Sequence, residues 1–215
     1  MILKLAFRNI VGNGWRSLIN MVILAIVIIG MIWMQAMYFS WFSLAENQMR
    51  EWEIGNGRYQ QKDYDRFDAF SWGKSHSEIP SVLQEMILEH QAVPILISPA
   101  AIYPHGRMMS ATINGIPSEQ TFLKIPTSAL TEAHSPYIPA VIGKLMAKNS
   151  RLKKGDVFTV RLKNVNGAYN AIDLEIVFIM DSPVASIDTG KIWIDLANLE
   201  SIKGLSNSAT QIVVN

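Results

Sequence analysis

Histidine is the first residue type to test for chemistry, because it binds transition metals and exchanges protons near neutral pH. The sequence has four histidines, and none of them lies in an H-x-x-x-H or H-E-x-x-H spacing: His76, His90, His105 and His134. It has no cysteine, which excludes thiolate metal ligands, a thiol nucleophile and disulfides within these residues. The pattern predicts no metal ligand, and it favours a turn for His105 and a proline-rich loop for His134.

Phosphate binding is the second chemistry to test, through three Gly-Lys dipeptides: Gly73-Lys74, Gly143-Lys144 and Gly190-Lys191. None of them has the glycine five positions earlier that the loop G-x-x-x-x-G-K-[ST] requires. A G-x-S-x-G nucleophile elbow is also missing from the sequence. The sequence therefore predicts neither an ATPase nor a serine hydrolase, and no cofactor.

Three aspartates recur at a regular interval, Asp181, Asp188 and Asp195. Each follows or precedes a predicted strand or helix, where a short carboxylate commonly caps a helix or stabilises a turn. Those structural roles are favoured over acid–base catalysis. We therefore predict no catalytic residue and a protein that is not an enzyme.

The sequence is dominated by residues 18–42, an apolar stretch inside a segment with no charge between Arg16 and Glu46. As a helix, this stretch extends roughly 37 Å, against about 30 Å for the hydrocarbon core of a bilayer. The pattern predicts a transmembrane helix over residues 18–46 that continues as a stalk to about residue 54. A buried soluble helix and a cleaved signal peptide are the alternatives. Both are less favoured, because the stretch is long and ends in bulky aromatic residues.

The flanks of this helix predict its orientation. Lys4, Arg8 and Arg16 precede it, whereas Arg50 is the one basic residue among three glutamates that follow. The excess of basic residues places the N-terminus in the cytoplasm and the rest of the chain across the membrane. A domain without cysteine suits a bacterial periplasm or cell surface, and a net charge of +1 gives no case for nucleic acid.

Residues 1–17 predict a short amphipathic helix in the inner headgroup layer. Leu3, Phe7 and Ile10 share one face, and Lys4 and Arg8 share another. The alternative is a basic flank that serves only to orient the span.

Methionine and tryptophan are concentrated at the outer end of the predicted span. If a substrate or partner surface exists, it is predicted there: Trp33, Met37, Trp41, Met49 and Trp52. Flexible methionine and broad aromatic side chains can contact varied apolar ligands. Contact with lipid or with a protein core is the favoured alternative.

Residues 55–215 predict an α+β domain. Strands are expected at 58–61, 93–103, 107–116, 137–142, 157–163, 171–180, 191–194 and 210–214, and helices at 77–91, near 118–123, at 143–150 and at 195–203. Pro104-His105-Gly106 and Asn166-Gly167 predict two hairpin turns. Pro94 and Pro99 predict that part of their strand is an edge or a bulge.

The motifs that remain are similar to those of a known family. Five stretches occur in the order found in that family: the opening LAFRNIVGNGWRS, the strand GRYQQKDYDRF, the turn in TINGIPSEQ, VIGKLMAKNSRLKKGDVFTV and the closing IWIDLANLESIKGLSNSATQIVVN. Together they resemble FtsX/MacB-type ABC-transporter permeases, including those that release lipoproteins from the inner membrane. Residues 1–17 would be the cytoplasmic elbow helix, and 55–215 the periplasmic MacB-like core domain.

The resemblance implies several partners. They are a cytoplasmic ABC ATPase, a second permease chain, membrane lipid and a lipoprotein or other hydrophobic substrate. The sequence departs from the family in having one span and no ATPase domain. We therefore expect the reading frame to continue through further spans. The alternative is a single-pass membrane-anchored sensing or adaptor module outside the cytoplasm.

Overall fold

The structure is a computed structural model that describes residues 4–5, 7–8, 12, 14–62, 64–65, 75–131 and 135–215. The chain divides into two compact units, Met1–Asn47 and Gln48–Asn215. Its architecture is mixed, with one apolar helix in the first unit and helices packed on a sheet in the second.

Helix α1, Gly14–Met49, accounts for nearly all described residues of the first unit, and none of its residues is buried. A π-helical turn, Arg50–Ile54, continues it to the predicted end of the stalk. Among the residues that the structure describes, this is the one helix long and apolar enough to cross a membrane. The described positions before it, including Lys4 and Arg8, have helical backbone. Leu3 and Ile10 of the predicted amphipathic face lie outside the described residues.

The described residues of the second unit contain ten strands. They are β1 Gly57–Gln60, β2 Ser77–Glu78, β3 Ala92–Tyr103, β4 Met109–Ile116, β5 Ile138–Gly143, β6 Val157–Lys163, β7 Tyr169–Met180, β8 Lys191–Asp195, β9 Ser208–Ala209 and β10 Gln211–Val214. Four helices accompany them, α2 Ser81–Leu88, α3 Lys144–Ser150, α4 Ala185–Asp188 and α5 Leu196–Lys203. The expected hairpins β3–β4 and β6–β7 both form.

Eight strands form one sheet in the order β1-β10-β3-β4-β8-β5-β7-β6, and β6 pairs again with β3. The second β3–β6 pairing, for example Ile102 with Val160, closes six strands into a ring. Most neighbours are antiparallel, but β4 and β8 are parallel, as are β5 and β7. The short strands β2 and β9 form a separate pair.

Three apolar clusters stabilise this unit. The largest fills the ring, with Ile113, Leu174 and Ile176 fully buried, and α3 and α5 contribute side chains to it. The second lies around Trp193 and includes side chains from residues 122–130 and α4. The third joins α2 to β10. The alternation of buried and exposed residues along β6 is what a strand with one core-facing side requires.

Two expectations for the β-rich unit need correction. The helix predicted at 77–91 begins only at Ser81, because Ser77–Glu78 pairs with β9 instead. Residues 118–123 form turns, and the helical turn of this region is a 3-10 turn at Thr127–Leu130.

Strand β3, which contains both prolines, is not an edge strand. At each proline, however, β3 pairs with a neighbouring strand on one side only. Pro94 pairs with β10 alone, and Pro99 pairs with β4 alone. Ile97 donates its N–H towards Thr210, beside β10, at 3.0 Å. Alternate residues direct their N–H groups to the same side, so position 99 faces the gap between β10 and β6. Proline has no N–H to leave unpaired there.

Candidate functional site

The π-helical turn Arg50–Ile54 is the part of the chain where the long helix enters the β-rich unit. Within that unit, Trp52 packs against the second apolar cluster. The next residue, Glu53, is only 6 % exposed. A buried carboxylate is costly unless it is paired, so its partners identify what holds this turn.

Among the described residues, Lys191 and Ser186 bind Glu53 from distant parts of the sequence. The Lys191 Nζ donates to Glu53 Oε1 at 2.9 Å, and the Ser186 Oγ donates to Oε2 at 3.3 Å. Lys191 opens β8, and Ser186 belongs to α4. The buried pair therefore fixes the turn to the start of β8, one strand of the ring. Removing one partner of such a pair leaves an uncompensated charge and costs about 3–5 kcal/mol.

Two weaker contacts flank the buried pair. Lys124 Nζ lies 2.7 Å from Glu51 Oε2, and the Lys124 N–H donates to the Glu51 carbonyl oxygen at 2.9 Å. Both side chains of the ion pair are about half exposed, so it stabilises the turn little. Gly55 has φ +63°, and a Cβ there would lie 2.6 Å from the Val214 carbonyl oxygen. Only glycine fits this turn without strain.

The chain ends of the β-rich unit meet at this turn. The Asn56 N–H donates to the Val214 carbonyl oxygen at 2.9 Å. Strands β1 and β10 then pair antiparallel from Gly57 opposite Val214 onwards. We call residues Arg50–Gly57 with Lys191, Ser186, Lys124 and Val214 the helix anchor.

Of the five residues predicted as a substrate or partner surface, three lie on α1 in the first unit and two lie in the second unit. Trp33, Met37 and Trp41 recur every fourth residue along one side of α1 and are exposed. Met49 is half-buried and, like Trp52, belongs to the second unit. Trp52 is partly buried and packs against the second apolar cluster.

The predicted membrane-orienting residues are exposed wherever the structure describes them. Lys4, Arg8 and Arg16 all lie in helical backbone. Their exposure is compatible with contact to water or lipid headgroups. The direction in which the helix crosses a membrane stays a prediction.

The three regularly spaced aspartates have structural partners. Asp188 accepts hydrogen bonds from the N–H groups of Lys144 and Leu145 at 2.6 and 3.1 Å, and so caps α3 from another part of the chain. Asp195 accepts from Ala197 N–H at 3.2 Å and caps α5, as predicted. Asp181 pairs with the Lys144 Nζ at 2.5 Å, and that hydrogen bond raises the pKa of Lys144.

The histidines are dispersed. His105 lies in a turn with φ +50°, as expected, and its Nε2 is 3.2 Å from the Arg151 carbonyl oxygen. His76 lines a cavity considered below, and His134 lies outside the described residues. Within the described parts of the chain, no three His, Cys, Asp or Glu residues are grouped as metal ligands would be.

Sequence reasoning missed the Glu53–Lys191 pair, and it predicted a capping or turn role for Asp188 without indicating that α3 is the helix capped. Both join residues far apart in the chain, and neither follows a local spacing rule. A signal for the first is available, because Glu53 stands between two apolar residues, Trp52 and Ile54, in the segment that the sequence predicts to be a stalk.

No protein-family model and no curated protein matches the sequence. Among solved structures, the chain is similar to the extracellular domain of the noncanonic ABC-type transporter YknZ from Gram-positive bacteria. The identity is 12 % and the TM-score 0.43, with 74 % of this chain and 81 % of that chain covered. A likeness at this level does not establish a shared family.

Proposed function

We propose that this chain is the N-terminal portion of a permease subunit of an ABC transporter. In this proposal α1 is the first membrane span, and the β-rich unit lies in the periplasm of a bacterium, with the N-terminus in the cytoplasm. The chain carries out no chemistry itself. A cytoplasmic ATPase hydrolyses ATP, and the permease converts that work into motion of its outer domain.

The pairing of the two ends of the β-rich unit is the observation that carries this proposal. Gly57 lies opposite Val214, so the chain enters and leaves the unit at one place. A domain inserted between two membrane spans needs this arrangement, because its two connections must return to the same membrane. The family resemblance of the sequence motifs supplies the second support.

The helix anchor gives the proposal a physical means of coupling. A displacement at the end of α1 would pull on Glu53, whose carboxylate is bonded to Lys191 at the start of β8. Strand β8 pairs with both β4 and β5, so it is one of the strands that form the ring and is not an edge strand. Packed cores resist gradual deformation, and the displacement would therefore move the ring as a body.

The partners follow from the same proposal. A second permease chain and lipid would surround α1, since a single helix cannot enclose a pathway in a bilayer. The exposed side with Trp33, Met37 and Trp41 is where such a chain or a hydrophobic substrate would pack. A lipoprotein is the substrate suggested by the family resemblance.

A membrane-anchored sensing or adaptor module is the second candidate function. The described residues contain one helix that could cross a membrane, and in this candidate it would be the anchor. Topology does not separate the two functions, because both place the β-rich unit outside the cytoplasm. A reporter active only in the periplasm should work after Asn215 and fail at Asn13 under either one. The reverse pattern contradicts both.

Purification of the tagged native gene product from its own membranes separates the two functions. We expect an ABC ATPase to copurify and to hydrolyse ATP. In that complex, exchanging ADP for ATP should change hydrogen exchange in Lys191–Asp195. The variant Glu53→Gln should retain hydrolysis and lose this change, whereas Lys124→Met, which breaks the exposed flanking pair, should behave as wild type. Failure to recover any ATPase would favour the sensing or adaptor function over the permease function.

A further inference from the structure

A cavity of about 780 Å³ lies in the β-rich unit, outside the helix anchor. It opens where β6 stops pairing with β3. Its lining comes from the middle of β3, the end of β6 and the turn into β7, together with His76 and Met108.

Regular structure builds the walls of this cavity. The β3–β6 ladder begins at Ala100 opposite Leu162, while the β10–β3 ladder ends at Ile95. The cavity occupies the gap between the two ladders, the side that Pro99 faces. The far wall is the turn after β6, where Asn164 N–H donates to the Ala168 carbonyl oxygen at 2.9 Å and Val165 N–H donates to the Lys203 carbonyl oxygen at 3.1 Å.

The lining combines an apolar floor with basic side chains. Pro99, Ala101 and Met108 supply apolar surface. Arg161 and Lys163 are adjacent outward-facing residues of β6, and the Arg161 guanidinium lies 4.3 Å from the centre of the Tyr169 ring. Among the described residues that line the cavity, none carries a carboxylate.

A second, buried cation lies close to the cavity. Lys203 is 1 % exposed, and its Nζ has no hydrogen-bond partner among the described residues. Burial lowers the pKa of His76, and the charge of Lys203 lowers it further. Lys203 therefore adds positive potential on the side of the cavity where His76 lies. An unpaired buried ammonium gains from any anion brought near it.

We propose that this cavity binds a small amphipathic anion, with its phosphate or carboxylate head on Arg161 and Lys163 and its apolar chain over Pro99 and Ala101. The basic pair selects a negative head, because a guanidinium matches the geometry of phosphate and carboxylate oxygens. The apolar floor gains from burying a hydrocarbon chain and gains nothing from an inorganic ion. This site is independent of the transport proposal.

Octyl phosphate is a suitable probe of this site, compared with octanol, octyltrimethylammonium and inorganic phosphate. The full chain is placed in nanodiscs of zwitterionic phosphatidylcholine, and heats of binding are measured against empty discs. We expect octyl phosphate to bind at least about tenfold more tightly than each of the other three. Equal binding of octanol would overturn the anionic head, and equal binding of inorganic phosphate would overturn the apolar chain. Absence of octyl phosphate binding would overturn the whole proposal.

Variants locate the binding. Arg161→Gln with Lys163→Gln should weaken octyl phosphate binding by about tenfold or more. Lys148→Gln with Lys154→Gln removes the same charge from exposed positions outside the cavity and should bind as wild type. Ala101→Leu leaves the charges in place and fills the floor, so it should also weaken binding. Unchanged affinity in both cavity variants, with folding verified by circular dichroism, would overturn the proposal.

Discussion

Helix α1 and the strand ring use the same apolar residue types in opposite surroundings. Ile28 in α1 is exposed, as are the apolar residues around it, whereas Ile176 in the ring is fully buried. In α1 the apolar residues cover every side of the helix, a pattern found in membrane spans. In β6 they alternate with polar residues. The comparison teaches that the arrangement of isoleucines, and not their number, tells which solvent a segment needs.

The strongest test of this comparison removes the same side chain from each region. Ile176→Ala opens a hole in the ring, and it should lower the free energy of unfolding of the β-rich unit by about 2–5 kcal/mol. Ile28→Ala removes no buried contact and should leave that free energy unchanged. Hydrogen exchange of peptides from β5 and β7, measured on the full chain in detergent across a urea series, gives both values. A comparable loss in the two variants would mean that α1 is not exposed to a separate solvent.

A charge placed in α1 tests which solvent surrounds it. Ile28→Arg should cost about 2.5–3.5 kcal/mol of membrane insertion, because the position lies near the centre of the apolar stretch. Ser17→Arg, next to Arg16, should cost little. The fraction inserted can be counted with a glycosylation site on either side of the helix. Equal insertion of the two variants would contradict a membrane-spanning α1.

Lys203 is a polar exception inside the apolar ring unit, and its removal sharpens the comparison. Burial lowers the pKa of Lys203 to about 8 from the usual 10.5. At neutral pH Lys203 is charged in both the folded and the unfolded state. Burying this charge destabilises the folded state by about 3 kcal/mol. Between pH 8 and 10.5 the unfolded chain holds more protons, so the stability of the wild type rises.

We therefore expect Lys203→Met to stabilise the β-rich unit by about 1–3 kcal/mol at pH 7. This advantage should shrink as the pH rises from 8 towards 10.5. Urea unfolding at pH 7, 8, 9 and 10 measures it, and Lys153→Met at an exposed position is the control. An advantage that does not change with pH would show that the pKa of Lys203 is the same in the folded and unfolded states.

The smallest effects concern the two carboxylates at the start of α3. Asp188→Ala removes a buried cap on two backbone N–H groups and should cost about 1–2 kcal/mol of stability. Asp181→Ala breaks an ion pair whose two side chains are mostly exposed, and it should leave the unfolding midpoint unchanged. A larger loss for Asp181 than for Asp188 would reverse the assignment of the cap.

The local parts of the fold could be predicted from the sequence, and the long-range parts could not. Asn166-Gly167 predicted the β6–β7 hairpin, and Asp195 predicted the start of α5, since turn and cap chemistry depend on neighbouring residues. The alternation along β6 indicates which side faces a core, but it does not indicate which strand lies beside it. The β3–β6 pairing that closes the ring and the ion pair between Glu53 and Lys191 therefore could not be predicted from the sequence. The basic cavity was missed for the same reason, since it lies where two ladders separate.

The pairing of β1 with β10 also sets the order in which the β-rich unit can fold. Gly57–Gln60 is among the first parts of this unit to be synthesised, and its partner Gln211–Val214 is the last of the strands. Strand β1 must therefore wait, unpaired, until almost the whole unit has been made and has left the ribosome or the translocation channel. Contacts between such distant residues form slowly, because a long loop must close first. Completion of this domain is consequently a late event of its biogenesis, and a chain interrupted before Gln211 leaves both β1 and one side of β3 without their partner.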